Sequence, residues 1–165
     1  MGVQTSYNYA MPRGVAGSLY DLSDYATDSR LNAADKGQLL FGMGVVTGDS
    51  KGSNIRVPKT GDTAAKFEGI ALNSFTQQHD LDGVVSVSVG TAVSVMRYGR
   101  AWGRIPKSVT PEFGDALYLI ISGDDAGKFT NAAGDGTTVA LKGRFCGSKG
   151  TGEIAPVELY NQAQG

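Results

Sequence analysis

One cysteine, one histidine and one tryptophan among 165 residues each remove a class of chemistry. Cys146 has no intramolecular partner for a disulfide. With His79 as the single imidazole there is no Cys/His cluster of metal-ligand spacing, and no Ser or Cys has a His to activate it. Cys146, in the apolar context Arg144-Phe145-Cys146-Gly147, reads as a small buried hydrophobe. His79, within Thr76-Gln77-Gln78-His79-Asp80, reads as a solvated loop residue. A catalyst would have to rest on carboxylates or lysine, and no constellation singles any out. The expectation is a protein that is not an enzyme and uses no cofactor or metal.

Excess charge is missing too. A net charge of −1 and a pI near 5.8 give no electrostatic hold on nucleic acid or an anionic membrane. Long apolar runs are missing: Leu117 to Ile121 is far too short to span a bilayer, and MGVQTSYNYAM has neither the basic nor the apolar region of a signal peptide. The chain reads as made and folded in a cytoplasm. MGVQTS matches the loose N-myristoylation pattern through Gly2 and Ser6, a short motif with meaning only in a eukaryotic host.

What is abundant is glycine, 24 residues, roughly twice average usage, set between short apolar runs. Many short elements joined by Gly-bearing turns predict an all-β fold with little helix. The length suits one domain, burying roughly 70% of the surface of its unfolded chain without a staple. The most patterned stretch is Val84 to Ile105. Val85, Val87, Val89, Val93 and Val95 share one parity and Ser86, Ser88 and Ser94 the other, the period of a strand with one buried face. Met96, Tyr98 and Trp102 then fall on the parity opposite to the valines, with Arg97, Arg100 and Arg104 interspersed, so the second half offers apolar surface on both sides. At Gly90 to Ala92 a three-residue hairpin loop and one continuous strand both keep the parity; a two-residue turn does not.

Residues 1 to 36 differ from the rest. They hold Tyr7, Tyr9, Tyr20 and Tyr25 with Met11, Leu19 and Leu22, without sustained periodicity of either kind. Aromatic enrichment argues for an extended N-terminal arm that docks on something rather than a disordered tail, either its own domain or a neighbouring subunit. A short helix is assigned to Ser29 to Asp35. Residues 37 to 165 form the β domain. Gln38 to Val46 and Asn54 to Val57 are strands of a hairpin with the tip TGDSKGS. Phe67 to Asn73 is a strand in which Gly69 marks a bulge or a close backbone approach. Gln77 to Gly83 is a polar connection. Ala116 to Ser122, the most apolar strand, is expected to be central, and Gly123 to Gly127 returns it through Lys128 to Thr130. Further strands lie near Val139 to Leu141, Arg144 to Cys146 and Ile154 to Tyr160, ahead of a polar tail.

The glycine-rich motifs fail as nucleotide loops. Gly42-Met43-Gly44 with Gly48 has its third glycine one residue late and no helix pattern after it. Gly147-Ser148-Lys149-Gly150-Thr151-Gly152 has the lysine on the wrong side of the second glycine. Asp49, Asp62, Asp115, Asp124, Asp125 and Asp135 sit in turns, where a short carboxylate bonds nearby backbone N–H groups, and no calcium-loop spacing is present. Arg97, Arg100 and Arg104 beside Tyr98 and Trp102 suggest base stacking, but without a wider basic field protein contacts or solvated strand edges are the better reading.

The arm segment GVAGSLYDLSDY, then GQLLFGMGVVTGD with NIRVP, KFEGIALNS, AVSVMRYGRAWGRI, GDALYLIISGDDAGKFTN and a closing GEIAPVELYN together resemble the structural cement, or capsid decoration, proteins of tailed bacteriophages over nearly the whole chain. The resemblance rests on order, spacing and Gly-Asp turns. It implies a small β-barrel or β-tulip-like domain, synthesised in the host cytoplasm, that binds the outer surface of a phage capsid in the virion and bridges adjacent major capsid protein subunits. Its partners would be the major capsid protein and other copies of itself, as trimer or dimer, with no nucleic acid and no membrane. On this reading Tyr7, Tyr9, Met11, Leu19, Tyr20, Leu22 and Tyr25 supply the inter-subunit contact. The alternative is a β-barrel ligand- or carbohydrate-binding module with Trp102 and Tyr98 as a stacking platform, which requires Trp102 to lie in an open concavity.

Overall fold

A computed structural model describes residues 14–73, 77–79 and 85–161, the middle segment for its backbone alone. The chain order is β1 (Ala26–Asn32), β2 (Gly44–Thr47), β3 (Asn54–Arg56), a 3-10 turn (Ala64–Lys66), β4 (Phe67–Ala71), β5 (Gln77–His79), β6 (Val85–Val87), β7 (Ala92–Arg104), β8 (Ala116–Ile120), β9 (Phe129–Thr130), β10 (Thr138–Phe145) and β11 (Ile154–Leu159). No α-helix occurs among the described residues, and the protein is all-β.

Pairing runs β1-β3-β2-β4-β7, and β7 pairs back onto β1, so these strands close a five-membered barrel. Only β1 and β3 run parallel within it. The β2–β3 hairpin forms as its turn residues predict, with Val46 opposite Arg56 and Thr47 opposite Ile55. Strand β7, 13 residues long, serves two sheets. Its first half lies between β1 and β4; its second half pairs with β11 from Gly99↔Leu159 to Arg104↔Ile154, and β10, β8 and β9 continue outward from there.

Two cores follow from this division. Leu39, Phe41, Val45, Ile55, Val93 and Val95 fill the barrel. Ile70, Met96, Leu117, Leu119, Phe129 and Phe145 form the second, between the barrel wall and the outer sheet. Each such side chain, taken from water, contributes about 1.5–3 kcal/mol. The switch between cores is a bulge: β1 advances one residue from Ala26 to Thr27 while β7 advances from Tyr98 to Met96. Val95 and Met96 point to opposite faces and are both buried, in different cores; the extra residue after them shifts the period-two phase, so the second core is met by Met96 before the bulge and by Ala101 after it.

At Gly69 the backbone of β4 lies close against β7. The Gly69 φ is 149°, the β2 register slips opposite it, and a Cβ there would collide with the carbonyl of Met96. The bulge and close approach expected of this glycine are both present.

Five expectations are corrected. Gln77 to His79, expected in a polar connection, form strand β5 and pair with β6. The first strand of the hairpin begins at Gly44, not Gln38. Ser29 to Asp35 is not a helix: residues up to Asn32 are extended in β1, and the Asn32 side chain accepts the Ala34 N–H at 2.9 Å, an Asx turn that competes with helix. The segment set apart as an arm thus contributes a barrel strand. At Gly90 to Ala92 the chain forms neither a valine hairpin nor a continuous strand. It turns over Ser88 to Thr91, where the Thr91 hydroxyl donates to the Ser88 carbonyl at 2.6 Å, while β6 pairs with β5 and β7 with β1 and β4. Buried Asn32 holds that turn, its Nδ2 donating to the carbonyls of Val87 and Ser88 at 3.1 and 3.3 Å. Finally, β8 is not central, since only the two-residue β9 lies beyond it; Leu117, Leu119 and Ile121 point into the second core while Tyr118 and Ile120 are half-buried.

Candidate functional site

The segment before β1 is tied to the middle of β7. The Gly17 N–H donates to the Trp102 carbonyl, the Trp102 N–H to Ser18 and the Tyr20 N–H to Arg100, at 2.8, 2.9 and 3.0 Å, with Leu19 opposite Ala101. Since β11 pairs with the same residues of β7, this strap takes the opposite edge of the strand and satisfies backbone groups that would otherwise be open. The chain then passes Gly99 to enter β1. Gly99 has φ 122°, and a Cβ on it would lie 2.5 Å from the Cβ of Tyr25.

The strap covers Trp102. Tyr20 meets its ring edge-on, with centroids 5.4 Å apart at 67°, and Gly14 lies directly against the indole. Trp102 is 8% exposed, and the hollow of about 420 Å³ beside it is lined by Tyr20, Gly147, Ser148 and Pro156. Trp102 itself lines that hollow, but so little of it is exposed that the indole offers scant face for stacking.

Of the residues expected to make inter-subunit contact, Tyr7, Tyr9 and Met11 lie outside the described residues, as does the Gly2/Ser6 motif. Leu19 packs against the second core. Tyr20 and Tyr25 are exposed, and Leu22 is 92% exposed; Tyr20 lies beside Trp102, whereas Tyr25 lines a separate hollow with Leu19, Leu72 and Ser94.

Beside them the outward face of the outer sheet carries a row of alternating charge. Arg100 on β7 is directly opposite Glu158 on β11, which is opposite Arg144 on β10. Arg100 donates to Asp21 at 2.8 Å and to Glu158 at 3.1 Å, and Arg144 donates to Glu158 at 2.6 Å. The Ser23 hydroxyl and Arg100 hold the Asp21 carboxyl below its usual range. Burial works against the Glu158 carboxylate, but the bonds from Arg144 and Arg100 outweigh it and leave it lowered as well. The Arg144 guanidinium also lies over the Phe113 ring, 5.0 Å from its centroid, and Phe113 is itself 69% exposed.

The arginines singled out in sequence all have protein partners. Arg97 meets Asp28 at 3.1 Å, and Arg104 donates to the Phe41 carbonyl at 2.7 Å, its burial lowering its pKa. Asp115 accepts the Glu112 N–H at 3.0 Å, the turn role expected of it. Asp21, Phe113 and Arg144 were missed. Their signal was weak, since cross-strand opposition needs the register, which one sequence does not print. Cys146 is half-buried. Among the described residues no group of three His, Cys, Asp or Glu is placed to hold a metal ion.

No curated protein sequence matches the chain. A solved structure titled "The capsid of Myoviridae Phage XM1" contains a chain of the same fold, with TM-score 0.73 and 18% identity over 96% of this chain and 98% of that one. The family model described as structural cement protein (E217 gp24/Pam3 gp6) matches residues 3–160. Nearly the whole chain is covered, strap, barrel and outer sheet together, and the protein therefore belongs to the phage structural cement protein family.

Proposed function

We propose that this protein binds the outer surface of a phage capsid and stabilises the shell by bridging adjacent major capsid protein subunits, without catalysing a reaction. The observation that carries the reading is the family match over residues 3–160, and membership in that family assigns the protein to the virion. The fold suits the task. A closed barrel leaves few open edges, and small contacts become collectively strong when many copies act on one assembly. Tyr20, Leu22 and Tyr25, each exposed before β1, are the described part of the contact, with Tyr7, Tyr9 and Met11 as its continuation toward the N-terminus. Leu19 holds the strap in place.

The test is co-sedimentation with preassembled shells lacking this protein, together with the shells' melting temperature. Binding and an upward shift are expected; shells that neither retain the protein nor gain stability overturn the reading. Deleting residues 1–13 spares the strap's bonds to β7, whereas deleting 1–25 removes the partners of Arg100 and Trp102. Loss of shell binding on the shorter deletion, with the melting temperature of the free protein unchanged, is the expected outcome for the arm.

A further inference from the structure

Asp21, Arg100, Glu158 and Arg144 form one line across the outer sheet, each bonded to the next. The last three are directly opposite one another on neighbouring strands, so the line runs perpendicular to the strands at a spacing of about 4.8 Å per strand. Its signs read minus, plus, minus, plus. Such a row is antisymmetric about its centre. Rotation by 180° about an axis in the plane of the face, perpendicular to the row, sets Asp21 of one copy against Arg144 of the other, and Arg100 against Glu158. Every juxtaposition is then between opposite charges, whereas an axis along the row would oppose like to like.

The ends of the row extend the match. Leu22 adjoins Asp21 in the chain, and Phe113 lies under Arg144; at 92% and 69% they are the two most exposed large apolar residues described. The same rotation brings Leu22 of each copy towards Phe113 of the other, an apolar contact at both ends of a charged centre. A face complementary to itself under one two-fold is what an isologous dimer interface requires.

We propose that this face binds a second copy of the same chain, in an antiparallel two-fold arrangement with the charge row as its register and Leu22 against Phe113 as its apolar contacts. The inference goes beyond the proposed function and selects a dimer where the resemblance implies trimer or dimer. It is tested without shells, so its failure leaves shell binding standing.

The experiment is sedimentation velocity over a concentration series. The wild type is expected to dimerise and to do so more weakly as salt rises, because exposed charges are screened within about 10 Å at 0.1 M ionic strength. Asp21→Lys opposes Lys to Arg144 twice per dimer, and Arg144→Glu opposes Glu to Asp21 twice. Each is expected to weaken self-association at least about tenfold. Mixing the two variants in equal amounts restores both pairs, and a heterodimer is expected at wild-type concentration. Leu22→Ala and Phe113→Ala, at exposed positions, are expected to weaken dimerisation with the melting temperature of the dilute monomer unchanged, and they carry the test if either charge reversal fails to fold. A wild type monomeric throughout, reversal variants that associate as the wild type does, or a mixture that stays monomeric each overturn the proposal. A monomer whose binding to shells is lost on Leu22→Ala assigns the face to the capsid protein instead.

Discussion

Asp62 receives Arg56 end-on: Nη1 and Nη2 donate to its two carboxylate oxygens at 2.7 and 2.9 Å. The Lys59 N–H adds a bond at 2.8 Å and Lys66 Nζ one at 3.1 Å, so a buried carboxylate anchors the loop between β3 and β4 at several points. Removing it leaves Arg56 half-buried without its counter-charge. Asp62→Ala is expected to cost about 3 kcal/mol in chemical denaturation at pH 7.

The same pair sets a pH dependence. Bonds from Arg56, outweighing burial, hold the Asp62 carboxyl well below the usual carboxylate range. A depressed folded-state pKa stabilises the fold above the unfolded value, near 3.9, and that contribution is lost as pH falls from there toward the folded value. Stability is therefore expected to drop below about pH 4, and to drop less steeply in Asp62→Asn than in the wild type. Parallel slopes for the two proteins between pH 5 and pH 2.5 would show that Asp62 carries none of the effect.

Gly69 is expected to tolerate no side chain. Its φ favours glycine, and a Cβ would meet backbone, the Met96 carbonyl, which has no rotamer with which to retreat. Gly69→Ala is expected to cost about 3 kcal/mol or more, read from the denaturation midpoint. Gly52, also at positive φ but with open space around it, is the control and should lose only about 1 kcal/mol.

This glycine was legible because a lone Gly in an apolar strand has few explanations. Strand β1 was not. Its half-buried positions include Asp28 and Arg30, which meet each other, Arg97 and Glu68 in ion pairs. A barrel strand that faces its neighbours with paired charge has no apolar period to read. The β2–β3 hairpin, the apolar side of β8 and the alternation of Val93 and Val95 were legible, since turn chemistry and a buried face leave local traces. The break at Ser88 to Thr91 was not, because it depends on Asn32, more than fifty residues away. Likewise Arg100 was visible as a residue of interest, but its partners Asp21 and Glu158 come from other elements.

The Cys146 thiol is pushed up to about 11, chiefly by burial. Reaction with a thiol-specific disulfide reagent proceeds through the thiolate, which at pH 8 is then about a thousandth of the population. Labelling of the folded protein is expected to be slow, and to become rapid in denaturant. Immediate labelling of the native protein at pH 8 would contradict this.

Trp102 is the sole tryptophan, so its emission reports on the strap. Tyr20→Ala removes the edge-on ring and is expected to shift the emission to the red, raise acrylamide quenching and cost about 1 kcal/mol. Leu22→Ser, on the same segment but exposed, should leave both signals unchanged. That contrast separates a substitution that loosens the strap from one that only alters the surface it presents.

Asn32 is a buried polar residue of the barrel tied in by both its side chain and its backbone. Its side chain donates to the Val87 and Ser88 carbonyls and accepts the Ala34 N–H, while its backbone N–H donates to Thr91 and its carbonyl accepts Gly90. The side chain alone thus satisfies three backbone groups on two segments, and at 1% exposure water is not at hand to replace it. Asn32→Leu is close in size but mates with none of them, and the unpaired groups are expected to cost about 2–4 kcal/mol. Asn32→Asp keeps the acceptor for Ala34 but turns a carboxylate oxygen toward two carbonyls, and should be stabilised by acid relative to wild type because a protonated carboxyl donates where the ionised one cannot. Amide exchange should locate the damage: faster exchange confined to Ala34, Gly90 and Thr91, with β11 still protected, is expected. Uniform acceleration across both sheets would instead make Asn32 a support of the whole fold rather than of the turn that starts β7.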